Sequence, residues 1–318
     1  MATNLDRVRT EPSVHALLAI NAVLVVAMLS LGIFPVLVDG LVRLAHLDGQ
    51  DAGLCVTAEM VGQAVGAAGV LALQRWIGSR NLCIAALVLI LLGNVLTMGV
   101  IHSLPGLLVM RAVAGTGCGM GTAVCIGLFA TTKQPDRNFA INNAAAIIAV
   151  AALAAATPFI YGFFGIIGIF AVIGGAAGLC LMMVAFIPDS GNRAAAREAG
   201  PSRSNVSLRP IALTCIMTAG YFIGLSMFWS YAGQIGAWHH LDVTAVSSAV
   251  ASAWLVGGLL GSIVAIPIAR RVSRRVSAVA FAAAGALTTY ASVIVGSPGH
   301  FTVVLYVFVF LWFLLLFI

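Results

Sequence analysis

The amino-acid sequence predicts an all-α polytopic membrane protein, and three observations carry that prediction. First, 61% of the 318 residues are hydrophobic and only 8% are charged, with a mean hydropathy of +1.09; water-soluble chains carry roughly 25% charged residues. Second, the apolar residues gather into ten long stretches, each able to cross a hydrocarbon core that ~20 helical residues span. Third, all but two of the sixteen Lys and Arg residues fall before the first stretch or in every second gap between stretches.

Taken in order, the stretches are residues 15–39, 52–73, 82–101, 105–130, 139–161, 163–187, 210–236, 244–268, 277–296 and 301–318. The first follows a short basic segment but runs to Asp39 without a small-residue cleavage site, so it reads as an uncleaved first helix. The uncharged runs 81–110 and 138–188 are too long for single spans, and each must fold back once. HSLPG (102–106) marks the first reversal and TPFIYG (157–162) the expected second one, because Pro and Gly punctuate helical sequence there. Barrel strands of ~9–11 residues are excluded by the same lengths.

The basic residues then orient the chain. Arg7 and Arg9 precede the first stretch, Arg75 and Arg80 follow the second, and Lys133 and Arg137 follow the fourth. Arg193, Arg197, Arg203 and Arg209 follow the sixth, while Arg270, Arg271, Arg274 and Arg275 follow the eighth. The intervening gaps hold only Arg43. The positive-inside rule therefore predicts a cytoplasmic amino terminus in an inner membrane, with the basic gaps inside. Arg111 alone lies within a membrane stretch.

The same pattern excludes several function classes. A net charge of +6 spread over five cytoplasmic positions serves topology and anionic headgroups, not nucleic acid. Cys55, Cys83, Cys118, Cys125, Cys180 and Cys215 sit within helical stretches without a C-x-x-C spacing and read as small packing residues. His46, His102, His239, His240 and His300 fall in predicted outside connections; no ligand spacing recurs among them, so they read as polar loop residues rather than a metal rim. No nucleotide-binding loop, nucleophile or metal constellation occurs, so neither an enzyme nor a cofactor is expected.

The only long polar segment, residues 189–209, divides the chain into a six-helix half (1–188) and a second half (210–318). Shifting the sequence by 195 residues lays the entry of the first helix over that of the seventh and GQAVGAAGVLALQRWIGSR (62–80) over GGLLGSIVAIPIARRVSRR (257–275). Gly62 then falls on Gly257, Gly66 on Gly261, Arg75 on Arg270 and Arg80 on Arg275. Repeated halves are the expectation for a secondary transporter. Under the same shift Ile318 falls within helix 4, and the ending LYVFVFLWFLLLFI lacks interfacial anchors, so the sequence predicts truncation within helix 10. A ten-helix protein is the competing reading.

With these motifs in view the chain resembles the major facilitator superfamily (MFS), and the resemblance extends over essentially its whole length. Gln74-Arg75-Trp76-Ile77-Gly78-Ser79-Arg80 is similar to that family's loop signature G-x-x-x-D-R-x-G-R-R, with Gln74 in place of the usual Asp and one residue inserted. The Arg270, Arg271, Arg274 and Arg275 cluster is its counterpart. Arg111-Ala-Val-Ala-Gly115-Thr-Gly117 resembles R-x-x-Q-G-x-G without the Gln, and Thr157, Pro158 and Gly162 echo the exporter motif G-P-x-x-G-G without its first Gly. The resemblance implies two six-helix pseudo-repeat halves with both termini inside, and a role in proton coupling for the Arg of the helix 4 motif.

Within the membrane, ionisable residues are the informative ones, since a central charge costs at least ~2.5–3.5 kcal/mol on insertion scales. Glu59 and Arg111 both lie roughly 9–11 Å below the predicted outer boundary and are able to pair. The pair either ties helices 2 and 4 together or lets protonation of Glu59 change which partners Arg111 accepts. Asp39, expected at the outer edge of helix 1, serves instead or simply meets water. Tyr221, Trp229, Tyr231 and Gln234 ride on helix 7, which lines the central cavity in the family, and suit an amphipathic organic substrate. Asn21, Gln63 and Trp254 are further candidates, and Trp238 reads as an interfacial anchor. G-x-x-x-G spacings at Gly62/Gly66, Gly174/Gly178 and Gly257/Gly261 permit close helix packing.

The sequence thus predicts proton-driven secondary transport in the lipid bilayer by a monomer, with export of a small amphipathic or aromatic compound as first expectation. Proton-linked uptake of an organic anion paired by Arg111 is the alternative. A non-transporting truncated remnant or membrane scaffold is the reading from another class.

Overall fold

A computed structural model describes residues 12–188, 226, 228–269, 283, 286–288, 290, 291 and 297–316, and among these there is no strand. The helices are α1 (Val14–Gly32), α2 (Phe34–Leu44), α3 (Gly49–Leu73), α4 (Ser79–Val100), α5 (Leu104–Ala130), α6 (Pro135–Phe164) and α7 (Ile167–Met183). They are followed by α8 (228–238), α9 (Val243–Ser252), a π-helical turn (Ala253–Gly257), α10 (Gly258–Ala269) and α11 (Pro298–Leu316). Seven helices among the described residues are long and apolar enough to cross a membrane. Their outward faces carry large hydrophobic side chains such as Leu71, Phe163, Leu179 and Met182, the surface expected of a chain solvated by lipid. The linker 189–209, Tyr221, Arg270, Arg271, Arg274, Arg275 and Cys215 lie outside the described residues, as does most of stretch 277–296.

The first predicted span is two helices. Gly32 packs so closely on Val150 that an added Cβ would come within 3.0 Å of that side chain, and Pro35 follows in the first turn of α2. Pro lacks the N–H that a continuous helix needs and is tolerated only near a helix start, so the chain restarts at Phe34. This corrects the expectation for Asp39. It lies mid-way along α2, not at a helix edge, and is fully buried.

The second reversal is also moved. α6 runs through TPFIYG to Phe164, with Pro158 inside the helix, and the chain turns at Gly165 in the left-handed region (φ 61°). Pro158 costs one i−4 hydrogen bond, and Thr157 Oγ1 donates to the Leu153 carbonyl at 2.9 Å in the same turn. That bond goes to the carbonyl one residue before the Ala154 carbonyl freed by Pro158, so it reinforces the turn beside the break and does not replace the lost bond. The HSLPG reversal stands as expected: Ser103 caps α5 by accepting from Gly106 N–H, with Pro105 in the first turn.

The residues cluster into two compact units. The first draws on Met1–Leu31, Leu41–Ala146 and Ile160–Ser202, and the second on Gly32–Gly40, Ile147–Phe159 and Arg203–Ile318. In the first unit α5 is the central helix, packed by α3 on one side and α4 on another, with α7 against α4. Small residues make this possible. A Cβ at Gly62 or Gly66 of α3 would strike the backbone carbonyls of Ala112 or Thr116, and one at Gly115 or Gly119 of α5 would strike those of Glu59 or Gln63. The two helices therefore meet backbone to backbone in both directions. Gly174 and Gly178 have ordinary contacts, so their spacing does not mark such an approach.

One sequence signal had gone unread. His46-Leu47-Asp48 recurs as His240-Leu241-Asp242, and the geometry recurs with it. Both His residues have positive φ (56° and 63°). Asp48 and Asp242 each cap the following helix, accepting from the N–H of Asp51 and of Ala245 at 2.7 Å. The α2–α3 and α8–α9 turns are thus built alike.

Candidate functional site

In the first unit, α5 carries Arg111 into a fully buried position beside α3 and α4. Its guanidinium is held mainly by α4. Nη2 donates to Thr97 Oγ1 at 2.8 Å, to the Gly93 carbonyl at 3.1 Å and to Asn94 Oδ1 at 3.2 Å, sharing two hydrogens among three acceptors. Thr97 and Asn94 are themselves oriented, donating to the Gly93 carbonyl at 2.6 Å and the Ile90 carbonyl at 2.8 Å. The guanidinium carbon lies 4.6 Å from the centre of the Phe170 ring of α7, a cation–π distance.

Glu59 on α3 is also fully buried, and Arg111 Nη1 reaches its Oε2 at 3.5 Å. The predicted pair therefore exists, but its contact is longer than any of the α4 bonds. Glu59 Oε1 and Arg111 Nε have no hydrogen-bond partner. Ser30 on α1 is buried with its hydroxyl beside the Glu59 carboxyl. Because α3 begins at Gly49, Glu59 lies about 15 Å along its helix and Arg111 about 10 Å along α5.

Two other candidates belong to this unit without joining the pair. Asn21 is half-buried and donates to the Leu17 carbonyl at 2.8 Å. Gln63 is half-buried with its Nε2 unpartnered. At the α3–α4 turn, Gln74 is half-buried, Arg75 stacks on Trp76 at 3.8 Å, and Gly78 precedes α4 in extended conformation. Arg80 Nε donates to the Ile187 carbonyl at 2.8 Å, tying this turn to the chain beyond α7. Gly115 and Gly117 serve helix approach, the latter against the Ala86 carbonyl.

In the second unit the aromatic candidates converge. Trp229 of α8 and Trp254 of the π turn have ring centres 4.9 Å apart, and Trp312 of α11 meets both edge-on at 6.0 and 5.8 Å. Phe308 stacks parallel to Trp229 at 6.4 Å, and Phe313 meets Trp254 edge-on at 5.2 Å. The indole N–H of buried Trp254 has no acceptor. The π turn adds a residue to the helix and so changes the direction in which Trp254 is presented, a feature common at functional positions. Tyr231 is exposed, and Trp238 is also exposed, as an interfacial residue would be. Gln234 Nε2 donates to Asp39 Oδ1 at 3.1 Å.

Sequence reasoning missed Asn94, Thr97 and Phe170. Asn94 and Thr97 were findable as a polar i, i+3 pair in an otherwise apolar helix; Phe170 gave no signal among its many apolar neighbours.

A sequence model described as the Major Facilitator Superfamily matches residues 20–318. Among solved structures, a D-xylose-proton symporter superposes with a TM-score of 0.68 at 16% identity, covering 94% of this chain and 81% of that one. The inward-open xylose transporter XylE from E. coli gives 0.69 at 15% identity, covering 93% and 80%. The nucleoside transporter NupG gives 0.69 at 11% identity, covering 95% and 80%. No curated protein sequence matches.

Proposed function

The chain belongs to the Major Facilitator Superfamily, and from that premise we propose that it couples proton movement to export of a small amphipathic or aromatic compound by alternating access. Membership makes it a multi-pass membrane protein of secondary transport and not an enzyme. Coupling, direction and substrate class are the proposal. Its frame is a monomer in an inner membrane, with the amino terminus cytoplasmic as the charge pattern suggests, and halves at 1–188 and 210–318 joined by 189–209.

The observation that carries it is the buried Glu59–Arg111 contact with an unengaged Glu59 oxygen. The α4 and Phe170 partners of Arg111 do not involve Glu59, so nothing in them requires Glu59 to be charged. A proton arriving at Glu59 therefore removes one charge from α3 while leaving α4 and α5 in place. The change falls on Glu59 and its neighbour Ser30, where a side chain is free to change partners. The complete burial of Arg111 weighs against the organic-anion alternative, because an incoming anion would have to reach its unengaged Nε through packed helices. The aromatic cluster of Trp229, Trp254 and Trp312 supports a planar or amphipathic substrate, and the motif around Pro158 supports export. The xylose and nucleoside transporters that share the fold add sugars and nucleosides to the compounds worth screening.

The test is proton flux in proteoliposomes under an imposed pH gradient with a compound panel. Substrate-dependent flux is expected from the native chain, and Glu59→Gln should abolish proton coupling while the protein still inserts. Coupling that survives Glu59→Gln would overturn the role given to Glu59.

A further inference from the structure

Two of the six cysteines face each other between α4 and α5. These helices run antiparallel and close. A Cβ added at Gly117 would lie 2.5 Å from the Ala86 carbonyl oxygen, and one added at Gly121 would lie 3.7 Å from Ala86 Cβ. One turn further along each helix from the second contact come Cys125 on α5 and Cys83 on α4. Their thiols meet there, and both residues are 0% exposed. Cβ atoms ~3.5–4.5 Å apart suit a direct sulfur–sulfur bond. The helices hold that separation one turn away, so a single atom can bridge the two sulfurs. Cys55, Cys118 and Cys180, the other described cysteines, have no thiol beside them.

The surroundings decide what that atom is. Among the described residues no group of three His, Cys, Asp or Glu side chains is placed to hold a metal ion, so the pair lacks the further ligands of a tetrahedral zinc site. What acts on Cys125 is Cys83 and burial, with no cation among the described groups. Leu82, Leu87, Val124 and Leu128, beside the pair in sequence, are buried and apolar. A net charge formed here would stand uncompensated. A monovalent copper or silver ion between two thiolates leaves one negative charge and is disfavoured. A mercuric bridge is neutral, but it is linear and forces the sulfurs apart. A monosubstituted trivalent arsenical is bent, soft enough to prefer sulfur, and leaves the site neutral. In R–As(OH)2 two As–O bonds break and two As–S bonds form, and each thiol proton leaves with a hydroxide as water. No electron is transferred, so no oxidant is needed, as it would be for a disulfide.

We propose that Cys83 and Cys125 form a dithiol site that captures monosubstituted trivalent arsenicals and so clasps α4 to α5. The site lies within the first unit, and it rests neither on proton coupling nor on a particular substrate. The probe is phenylarsine oxide, added to the purified full chain. Excess monothiol then strips arsenic held by one sulfur, and a dithiol strips arsenic held by two. Intact-mass measurement should find one adduct that survives the monothiol and is lost to the dithiol. Cys83→Ser and Cys125→Ser should each cut the retained adduct about tenfold, because the second sulfur then no longer binds within the same molecule. Cys55→Ser and Cys118→Ser should retain it. The washed adduct of the native chain should also unfold about 5 °C above the untreated chain, since the bridge joins points 42 positions apart. That measurement needs no variant to fold. A native chain that retains no adduct, or an adduct that survives either serine substitution at the pair, overturns the site. A retained adduct that leaves the midpoint unchanged overturns the clasp.

Discussion

Replacing Thr97 by Val tests whether α4, not Glu59, holds Arg111. The substitution keeps the shape of the side chain and removes the hydroxyl that accepts the shortest Arg111 bond, at 2.8 Å. Hydrogen bonds to charged groups contribute about 1.5–3 kcal/mol. The Gly93 carbonyl and Asn94 Oδ1 remain within 3.2 Å of Nη2, so part of the loss is recovered by the sharing already described. The Gly93 carbonyl also loses its Thr97 donor but keeps Arg111. The expected cost is therefore about 2 kcal/mol, which two-state scaling for a chain of this length turns into a fall of about 3 °C in the unfolding midpoint. The assay is thermal unfolding of the detergent-purified protein, with Thr97→Ser as the control that restores the hydroxyl. Equal midpoints for Val and Ser would refute the anchoring role, since the two differ in the bond and little else.

Three more substitutions probe the packing and the aromatic cluster. Gly115→Val should cost about 3 kcal/mol or prevent stable folding, because its Cβ would fall on the Glu59 carbonyl and backbone has to move; Gly174→Ala, whose nearest neighbour is Asn94 Cβ at 3.4 Å, should lie within about 1 kcal/mol of the native chain. Comparable unfolding midpoints for these two variants would contradict the backbone contact between α3 and α5. Trp254→Phe removes an indole N–H that has no acceptor, so stability should change by no more than about 1 kcal/mol, while KM for an aromatic substrate should rise about tenfold if that N–H binds it. An unchanged KM in flux measurements would take Trp254 out of the substrate site.

Much of this fold was legible because the bilayer imposes it: span length and the placement of Arg follow from hydrocarbon thickness and surface charge, and neither depends on tertiary detail. Local backbone chemistry was harder to weigh. Gly32 and Pro35 break the first span although nothing in its hydropathy changes, whereas the helix continues through Pro158, the expected reversal, to Phe164. The difference is positional, since Pro35 falls in a first turn and Pro158 in a helix interior. Glu59 and Arg111 were found because charges are rare in lipid, whereas their true anchors were neutral. Asn94 and Thr97 announce themselves only once polar residues are counted as strictly as charges. The meeting of Trp229 and Trp254 with Trp312 joins helices far apart in the chain, which no local pattern encodes.

The reciprocal glycine contacts between α3 and α5 also act as a mechanical index. Gly62 and Gly66 repeat at the same spacing as Gly115 and Gly119, so the notches recur once per helical turn. A slide of one residue, about 1.5 Å, would carry each glycine away from the carbonyl it accommodates. A displacement of a whole turn, about 5.4 Å, would bring only one notch of each pair back into register. Creep along this seam is therefore forbidden, and α3 behaves as a part held in a detent. While this seam holds, Glu59 and Arg111 keep their backbone separation, and only their side chains are left to rearrange.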